Sequence, residues 1–341
     1  MCIRDRLGIG PGDEVITTAY TYTASASVIC HVGATPIFVD VAPGSYLIDE
    51  EKLQSAITPR TKAIIPVDIA GVMCHYDQIL TICREMAAKF SPSKNPLQQA
   101  MGRIAIIADA AHSLDAYRNS KRSGQAADFS CFSFHAVKNR TTGEGGAVTW
   151  NSIRGISDEE IYRQYQLLSL HGQSKDAFAK LQGGSWEYDI LSPAYKCNMT
   201  DIQAAIGLVQ LSRYPKLLER RKELFSLYQQ ELSDAPIILF QHHGDDFCSS
   251  HHLCLTNLPR LKENQRNRVI QRLAEQGISS NVHYKPLPML TAYRNLGFSI
   301  EDYPNAQKQY QGELTLPLHT LLSNEDVHEI AQALKKILQD F

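Results

Sequence analysis

The sequence predicts an α/β protein with a mostly parallel sheet between layers of helices, followed by a small α+β domain. Short apolar runs alternate with segments of helical periodicity, which is typical of parallel strands joined by crossover helices. Residues 103–108 are apolar almost without interruption, as expected of a strand covered on both faces. The other strands expected in this part of the chain are Glu14–Thr18, Thr35–Val39, 63–67, 129–134 and 145–150.

The composition is that of an ordinary globular protein. The chain has 341 residues, of which 43% are hydrophobic and 21% charged, and its formal net charge is −2. This balance gives no electrostatic reason to expect nucleic acid or an anionic membrane as a partner. No apolar run is long enough to span a bilayer, and we see no signal peptide. The eight cysteines form no C-x-x-C pair, so we expect reduced thiols in a cytoplasmic protein.

Helical segments follow the predicted sheet. Ser157 and Glu160 form a capping box at the start of a helix that ends near Leu170. Residues 173–190 are polar and interrupted by glycine, which is typical of a loop that covers a substrate. The next helix is expected to stop at Pro215, because proline lacks the N–H that a helix interior requires.

Beyond Pro236 the pattern changes to shorter elements, which indicates a second domain. We therefore expect a large domain of residues 7–232, in which a charged helix at 216–232 comes last, and a small domain of residues 233–341. The strands expected in the small domain are 237–240, 253–256 and 279–283, and the helices are 263–276 and 325–338.

A single lysine, Lys138, lies on a turn between two of the expected strands. An apolar run ends at Phe134, and Gly143, Gly145 and Gly146 allow a sharp bend before the next strand. A lysine at the end of an apolar strand can lose hydration, which lowers its pKa from about 10.4 and frees the amine as a nucleophile for Schiff-base chemistry. The alternative is a solvated lysine of a surface turn.

A carboxylate, Asp109, follows the apolar strand of residues 103–108. Side chains at the carboxyl end of such a strand meet the crevice where open α/β sheets bind ligands. Asp109 can equally cap the next helix. Paired with Lys138, which follows 29 residues later at another strand end, it suggests pyridoxal phosphate as cofactor. The acid would keep the pyridine nitrogen protonated while the lysine holds the aldehyde.

Three ordered motifs give the chain a resemblance to a known family. They are Asp-Ala-Ala-His at 109–112, Phe-Ser-Phe-His-Ala-Val-Lys-Asn at 132–139 followed by Glu-Gly-Gly-Ala at 144–147, and Tyr-Lys-Cys-Asn-Met-Thr-Asp at 195–201. The chain resembles the DegT/StrS-type sugar-nucleotide aminotransferases, which are fold-type I pyridoxal phosphate enzymes, from Leu7 almost to its C-terminus. The resemblance implies a seven-stranded type of sheet whose N-terminal part is missing here.

The resemblance implies a reaction and a set of site residues. The reaction is transfer of an amino group from glutamate to a nucleotide-linked keto-sugar, in a homodimer with shared active sites, within surface polysaccharide or glycan synthesis. Lys138 and Asp109 would be the catalytic pair. Further cofactor contacts would come from Tyr22 stacking on the ring, His112 near the phenolic oxygen, Ser133 at the phosphate, and Asn198 reaching the phosphate of the neighbouring subunit. Candidate substrate-binding residues are His171, Tyr195, Lys196, His283 and Tyr284.

Several alternatives stay open at this point. Tyr22 can be a core aromatic, His171 a helix C-terminal cap and Asn198 a helix N-cap. Relatives that deoxygenate their sugar carry histidine where Lys138 stands, so the lysine disfavours a dehydratase. A chain that only binds a sugar nucleotide or a partner is a further alternative, because residues 1–6 match nothing in the family and we expect an upstream phosphate-binding turn. The pairs at 242–243 and 251–252 are histidines without cysteine or carboxylate at ligand spacing, so we expect no metal.

Overall fold

The computed structural model describes residues 6–174 and 187–341 of the chain. Its strands are β1 (Glu14–Thr18), β2 (Thr35–Val39), β3 (Thr61–Ile65), β4 (Ala105–Asp109), β5 (Tyr117–Arg118), β6 (Lys121–Arg122), β7 (Phe129–Ser133), β8 (Gly146–Trp150), β9 (Ile238–Leu239), β10 (Phe247–Cys248), β11 (Cys254–Asn257) and β12 (Glu313–Leu316). Its α-helices are α1 (Ala24–His31), α2 (Glu50–Ala56), α3 (Tyr76–Glu85), α4 (Pro96–Met101), α5 (Asp158–Ser169), α6 (Asp201–Glu231), α7 (Glu263–Ala274), α8 (Thr291–Arg294), α9 (Pro304–Gly312) and α10 (Asn324–Leu338).

The central sheet has six strands within the described residues, in the order β2-β1-β3-β4-β7-β8. All neighbouring pairs are parallel except the last, in which β8 runs antiparallel to β7 at the edge. A smaller antiparallel sheet has the order β12-β11-β9, and a third consists of β10, β5 and β6. The predicted α/β class, with a mostly parallel sheet and a separate α+β part, is confirmed.

Both faces of the central sheet are buried. Successive residues of β3 and β4 enter two different apolar cores: Ile64 and Ile106 pack in one core, while Ala63 and Ala105 pack in the other. Side chains alternate across a strand, so this division puts one core on each face of the sheet. Helices α2 and α3 contribute to the first core, and α1, α4 and α5 to the second. The continuous apolar run at 103–108 is explained by this double covering.

The longest helix, α6, contradicts one sequence prediction. It runs unbroken through Pro215, where we expected it to stop. Proline removes one intrahelical hydrogen bond, but tertiary packing on both sides holds the helix together. Tyr214 is buried beside the proline, and Phe225 and Tyr228 lie fully buried in the C-terminal half.

The C-terminal part has its own core. Phe225 and Tyr228 of α6 pack there with Val269 of α7 and Leu334 of α10. Leu287, Tyr293 and Tyr310 instead pack in a core of the central sheet. The division into domains of residues 7–232 and 233–341 stays a prediction.

Two further predictions concern a strand and a loop. The strand predicted at 279–283 is wrong, because only a single bridge between Asn281 and Thr315 forms there. The predicted covering loop at 173–190 lies largely outside the described residues.

Across residues 6–174 and 187–341, no helix is both long enough and apolar enough to cross a lipid bilayer.

A buried histidine pair lies where the C-terminal half of α6 meets the segment before β11. The rings of His242 and His251 stack with centroids 5.0 Å apart, and Phe225 lies 4.3 Å from the ring of His242. Burial lowers the pKa of His251 to about 4 and holds the pKa of His242 well below its usual value, because a charged imidazole loses its hydration there. Both rings are therefore neutral in the folded protein at pH 7.

We expect the protein to lose stability as the pH falls from 6.5 towards 4. The folded-state pKa of His251 lies below its usual 6.5, so in this window the unfolded chain binds more protons and the free energy of unfolding rises with pH. The full contribution is about 3 kcal/mol. His251→Asn should flatten this dependence, and asparagine suits the φ of 49° at this position.

Denaturant unfolding of both proteins at pH 7 and pH 4.5 measures the effect. His31→Asn replaces an exposed histidine and serves as the control. An equal loss of stability on acidification in the His251 variant and the parent would contradict the interpretation.

Candidate active site

A cavity of about 570 Å³ opens at the carboxyl ends of β1, β4 and β7. Parallel strands bring these ends to one edge of the sheet, which is where α/β proteins bind ligands. Eight of the residues that line it are Tyr22, Ser25, Asp109, His112, Ser133, Lys138, His283 and Tyr284. All of these except Ser25 were predicted from the sequence, from segments that are up to 262 residues apart.

The Asp109 carboxylate is held by two donors. The Ser25 hydroxyl donates to Oδ2 at 2.6 Å, and the Ala111 amide donates to Oδ1 at 3.2 Å. Ser25 lies in the first turn of α1 and is itself bonded to Thr21 at 2.9 Å. The Ala111 bond closes a turn, and no helix begins between β4 and β5, so the capping alternative for Asp109 is wrong. Ser25 was missed by sequence reasoning, although a small polar residue just after β1 was a usable signal.

Lys138 lies on the turn between β7 and β8, partly buried at the cavity. Its amide donates to the His135 carbonyl at 2.9 Å. Burial lowers the pKa of the Lys138 amine, and the nearby Asp109 carboxylate partly opposes that shift. Gly146 lets β8 pass close to β7 after the turn, because a Cβ there would lie 2.6 Å from the Phe132 carbonyl oxygen. The surface-turn alternative does not describe this lysine.

The neighbouring Asn139 ties the turn to a distant segment. Its amide group donates to the Ser250 carbonyl at 2.7 Å, and its oxygen is 2.8 Å from Nδ1 of His252. His252 packs against His112, with ring centroids 4.2 Å apart. Neither contact was predicted, because His252 was considered only as a possible metal ligand. Among residues 6–174 and 187–341, no three histidine, cysteine or acidic side chains are grouped as a metal site.

His112 is a neutral imidazole in a fixed orientation. Its Nδ1 accepts a hydrogen bond from the Ala70 amide at 3.2 Å, so the ring proton lies on Nε2. Nε2 is 3.4 Å from the Tyr284 hydroxyl. Burial holds the pKa of His112 well below its usual value, and the charge of Lys138 lowers it further. His112 therefore offers a hydrogen-bond donor beside the cavity.

Aromatic and polar residues complete the cavity wall. The Tyr22 ring lies 5.7 Å from the Tyr284 ring and is 59% exposed, so Tyr22 is not a core aromatic. The Ser133 hydroxyl accepts from the His135 amide at 3.3 Å. His283 bonds Thr315 through Nδ1 at 2.9 Å, and burial lowers its pKa to about 4.

Four predicted residues do not line this cavity in the single chain. His171 has a φ of 56° at the residue after the C-cap of α5, and the Gly172 amide donates to the Leu167 carbonyl at 2.8 Å, so the capping interpretation accounts for it. Lys196 donates to the Asn198 side chain at the protein surface. The N-cap of α6 is Thr200, so the capping alternative for Asn198 is wrong. Tyr195 is partly exposed and its amide bonds the Leu168 carbonyl.

Comparison with known proteins identifies the class of enzyme. The family model described as the DegT/DnrJ/EryC1/StrS aminotransferase family matches residues 2–335. Spr1654 of Streptococcus pneumoniae, named as a sugar aminotransferase and solved in a pyridoxamine phosphate form, is 50% identical, with a TM-score of 0.96 over 99% of this chain and 84% of that one. Its pyridoxal phosphate form is 49% identical with a TM-score of 0.95.

Two more distant relatives extend the comparison. PseC of Helicobacter pylori, an aminotransferase involved in the biosynthesis of pseudoaminic acid, is 28% identical with a TM-score of 0.86 over all of this chain and 84% of that one. The spore coat polysaccharide biosynthesis protein SpsC of Bacillus subtilis is 36% identical over 97% of this chain and 81% of that protein. The fold is that of a pyridoxal phosphate-dependent sugar aminotransferase. The chain belongs to the DegT/DnrJ/EryC1/StrS aminotransferase family.

The cavity suits the cofactor of this family, pyridoxal phosphate. Its volume lies in the range of small-molecule and cofactor sites. It brings together an amine whose pKa is lowered and a carboxylate held by two donors, which match the aldehyde and the pyridine nitrogen of the cofactor. An exposed aromatic ring, Tyr22, adjoins them.

Proposed function

We propose that this protein transfers an amino group from glutamate to the keto group of a nucleotide-linked deoxysugar in the cytoplasm, for glycan or surface polysaccharide synthesis. The observation that carries the proposal is the meeting of Lys138 and Asp109 in one cavity. The relative SpsC is a spore coat polysaccharide biosynthesis protein, and PseC is involved in the biosynthesis of pseudoaminic acid. A dehydratase is disfavoured because Lys138 stands where such relatives carry histidine.

In this proposal each residue at the cavity has one task. When bound, pyridoxal phosphate supplies an aldehyde and a ring that withdraws electrons from the substrate carbon. Lys138 would hold the cofactor through its aldehyde carbon, with loss of water, and once released its amine would take up and return the proton of the substrate Cα. Its lowered pKa favours the free amine that both tasks need. Asp109 holds a proton on the pyridine nitrogen, and Ser25 and the Ala111 amide keep the carboxylate oriented.

The remaining residues bind and orient. Tyr22 would stack on the cofactor ring, His112 would donate its Nε2–H to the phenolic oxygen, and Ser133 would help to hold the phosphate. His283 and Tyr284 face the substrate side of the cavity.

We further propose that the active protein is a homodimer whose sites are shared. The first half of α6 has an apolar surface that is left open in the single chain, with Ile202 77% and Leu208 68% exposed. Burying such a surface in a partner stabilises association. The same face begins beside Asn198, which would reach the cofactor phosphate of the neighbouring subunit. His171, Tyr195 and Lys196 would serve a substrate from that side.

Reduction with borohydride should fix the cofactor to Lys138, because among the described residues this is the lysine that lines the cavity with Asp109. Peptide mapping after reduction locates the label. Lys138→Ala should remove it, whereas Lys121→Ala, at an exposed lysine paired with Asp77, should not. A label on another lysine would overturn the assignment.

Asp109→Asn should slow the half-reaction with glutamate by roughly 10²–10⁴-fold, because a neutral amide cannot hold the ring nitrogen protonated. The amide oxygen can still accept from the Ala111 N–H, and its NH2 group can donate to the Ser25 hydroxyl, so the fold should be retained. Single-turnover absorbance changes measure the rate, with Asp77→Asn as an exposed control. Rates within a few-fold of the parent would show that the carboxylate has no electrostatic role.

Leu208→Glu should weaken dimerisation by roughly a hundredfold, which corresponds to about 3 kcal/mol, because it buries a charge in an apolar contact. Sedimentation at assay concentration measures the oligomeric state. Leu321→Glu, at a leucine that is 90% exposed in the loop before α10, is the matched control. A fully active parent protein that sediments only as a monomer would refute the shared site.

A further inference from the structure

A buried carboxyl group, Glu313, is connected to the cavity by a chain of hydrogen bonds. Glu313 begins β12 and has no exposed surface. Its Oε1 accepts from the Thr315 hydroxyl at 2.6 Å, and its Oε2 accepts from the His283 amide at 2.9 Å. The Thr315 hydroxyl also lies 2.9 Å from Nδ1 of His283. Since His283 lines the cavity, the chain runs from the cavity through its ring to a carboxyl group in the interior.

The number of protons in this chain determines what His283 can offer a ligand. The Thr315 hydroxyl has one proton but two hydrogen-bond partners, Oε1 of Glu313 and Nδ1 of His283, so it can donate to only one of them at a time. When Glu313 is ionised, Thr315 donates to it, so His283 must donate from Nδ1 and its Nε2 carries a lone pair. When Glu313 is protonated, it donates to Thr315, which donates to Nδ1, so the ring proton of His283 lies on Nε2.

We propose that Glu313 is a positioning residue that sets, through Thr315, which nitrogen of His283 carries the ring proton. His283 then meets the sugar nucleotide as a hydrogen-bond donor when Glu313 is protonated and as an acceptor when it is ionised. The identity of this ligand rests on the proposed function, whereas the relay itself does not.

The step balances as the uptake of one proton. A proton arriving from the cavity bonds to Nε2 of His283, and the Nδ1–H bond breaks as its proton passes to the Thr315 oxygen. The original hydroxyl proton of Thr315 passes to Oε1 of Glu313. The net change is one proton on Glu313, and the imidazole remains neutral throughout.

The charges around the relay favour a switch near neutral pH. Burial raises the pKa of Glu313 to about 8, and the buried Arg266 guanidinium, which bonds the Glu313 carbonyl at 2.6 Å, limits the rise. Tyr20, Tyr46 and Tyr284 also face this carboxyl group, and burial raises the pKa of each of these hydroxyls. They stay uncharged at neutral pH.

His283 itself stays neutral across the same range. Burial, together with the Lys138 charge, lowers its pKa to about 4. His112 also faces the Lys138 side of the cavity, and the Ala70 amide fixes its proton on Nε2. His135 lines the same cavity, and His252 packs against His112. Near pH 7 the relay therefore makes His283 a donor, which suits a sugar or phosphate oxygen.

Nitrogen-15 NMR of histidine-labelled holoenzyme tests the relay directly, with the His283 signals assigned by their loss in His283→Gln. In the parent protein the proton should lie on Nε2 below about pH 8 and on Nδ1 above it. In Glu313→Gln the side-chain amide can donate to Thr315 at every pH, so the proton should stay on Nε2. His112 is the internal control and should keep its tautomer in every variant.

Thr315 provides a second pair of variants in which the carboxyl group remains. Thr315→Val cuts the relay and should abolish the change of tautomer, whereas Thr315→Ser should retain it. A parent protein with no change of tautomer between pH 6 and pH 10, or a Thr315→Val protein that switches like the parent, would overturn the proposal. If Glu313→Gln does not fold, comparison of the Thr315→Val and Thr315→Ser proteins still tests whether the change of tautomer passes through Thr315.

Kinetics show whether the relay serves the proposed reaction. The KM for the sugar nucleotide should change about tenfold across pH 8 in the parent and Thr315→Ser proteins, and this change should be absent in Glu313→Gln. If the His283 tautomer changes with pH but the protein aminates no sugar nucleotide, the proposed function is refuted and the relay is supported. Amination without the switch would refute the relay alone.

Discussion

The amine of Lys138 is partly buried near the Asp109 carboxylate, and the fold has to hold these two groups in fixed positions. Lost hydration lowers the pKa of the amine, and the carboxylate restores part of it. Such a pair has to be held by rigid elements, since small displacements change the electrostatic interaction steeply at low dielectric constant. A sheet that is buried on both faces, with β4 and β7 as parallel neighbours, provides this rigidity.

Local sequence patterns were sufficient for the parts of the molecule that obey local rules. The alternation of apolar runs with helical segments predicted the strand–helix order, because strands buried on both faces leave no room for polar residues. Asp109 and Lys138 were found because each follows an apolar run and so lies at a strand end. Their partners were not found. Ser25 bonds Asp109 across 84 residues, and Asn139 meets His252 across 113, and no local pattern records contacts of this kind.

The wrong predictions have the same origin. Pro215 breaks the local rule for a helix interior, yet α6 continues because residues on both sides of it are buried against other parts of the protein. Residues 279–283 were predicted to form a strand, but only Asn281 pairs with β12. At Pro215, packing outweighs an intrinsic helix-interior cost of about 3 kcal/mol, and at 279–283 tertiary context overrides the local prediction. The division between the two apolar cores is equally a matter of packing, since Leu287 and Tyr293 come late in the chain but pack beside the central sheet.

The bond from Asn139 to the Ser250 carbonyl also has a consequence for biosynthesis. During synthesis the N-terminus leaves the ribosome first, so every strand of the central sheet emerges before Ser250, His283 and β12 have been made. The sheet can form early, but the lysine turn obtains its anchor only after residue 252 has emerged, and the cavity wall is complete only after Tyr284. A nascent chain therefore has the strands of the central sheet without a finished pocket, which delays capture of a reactive aldehyde until residue 284 has emerged.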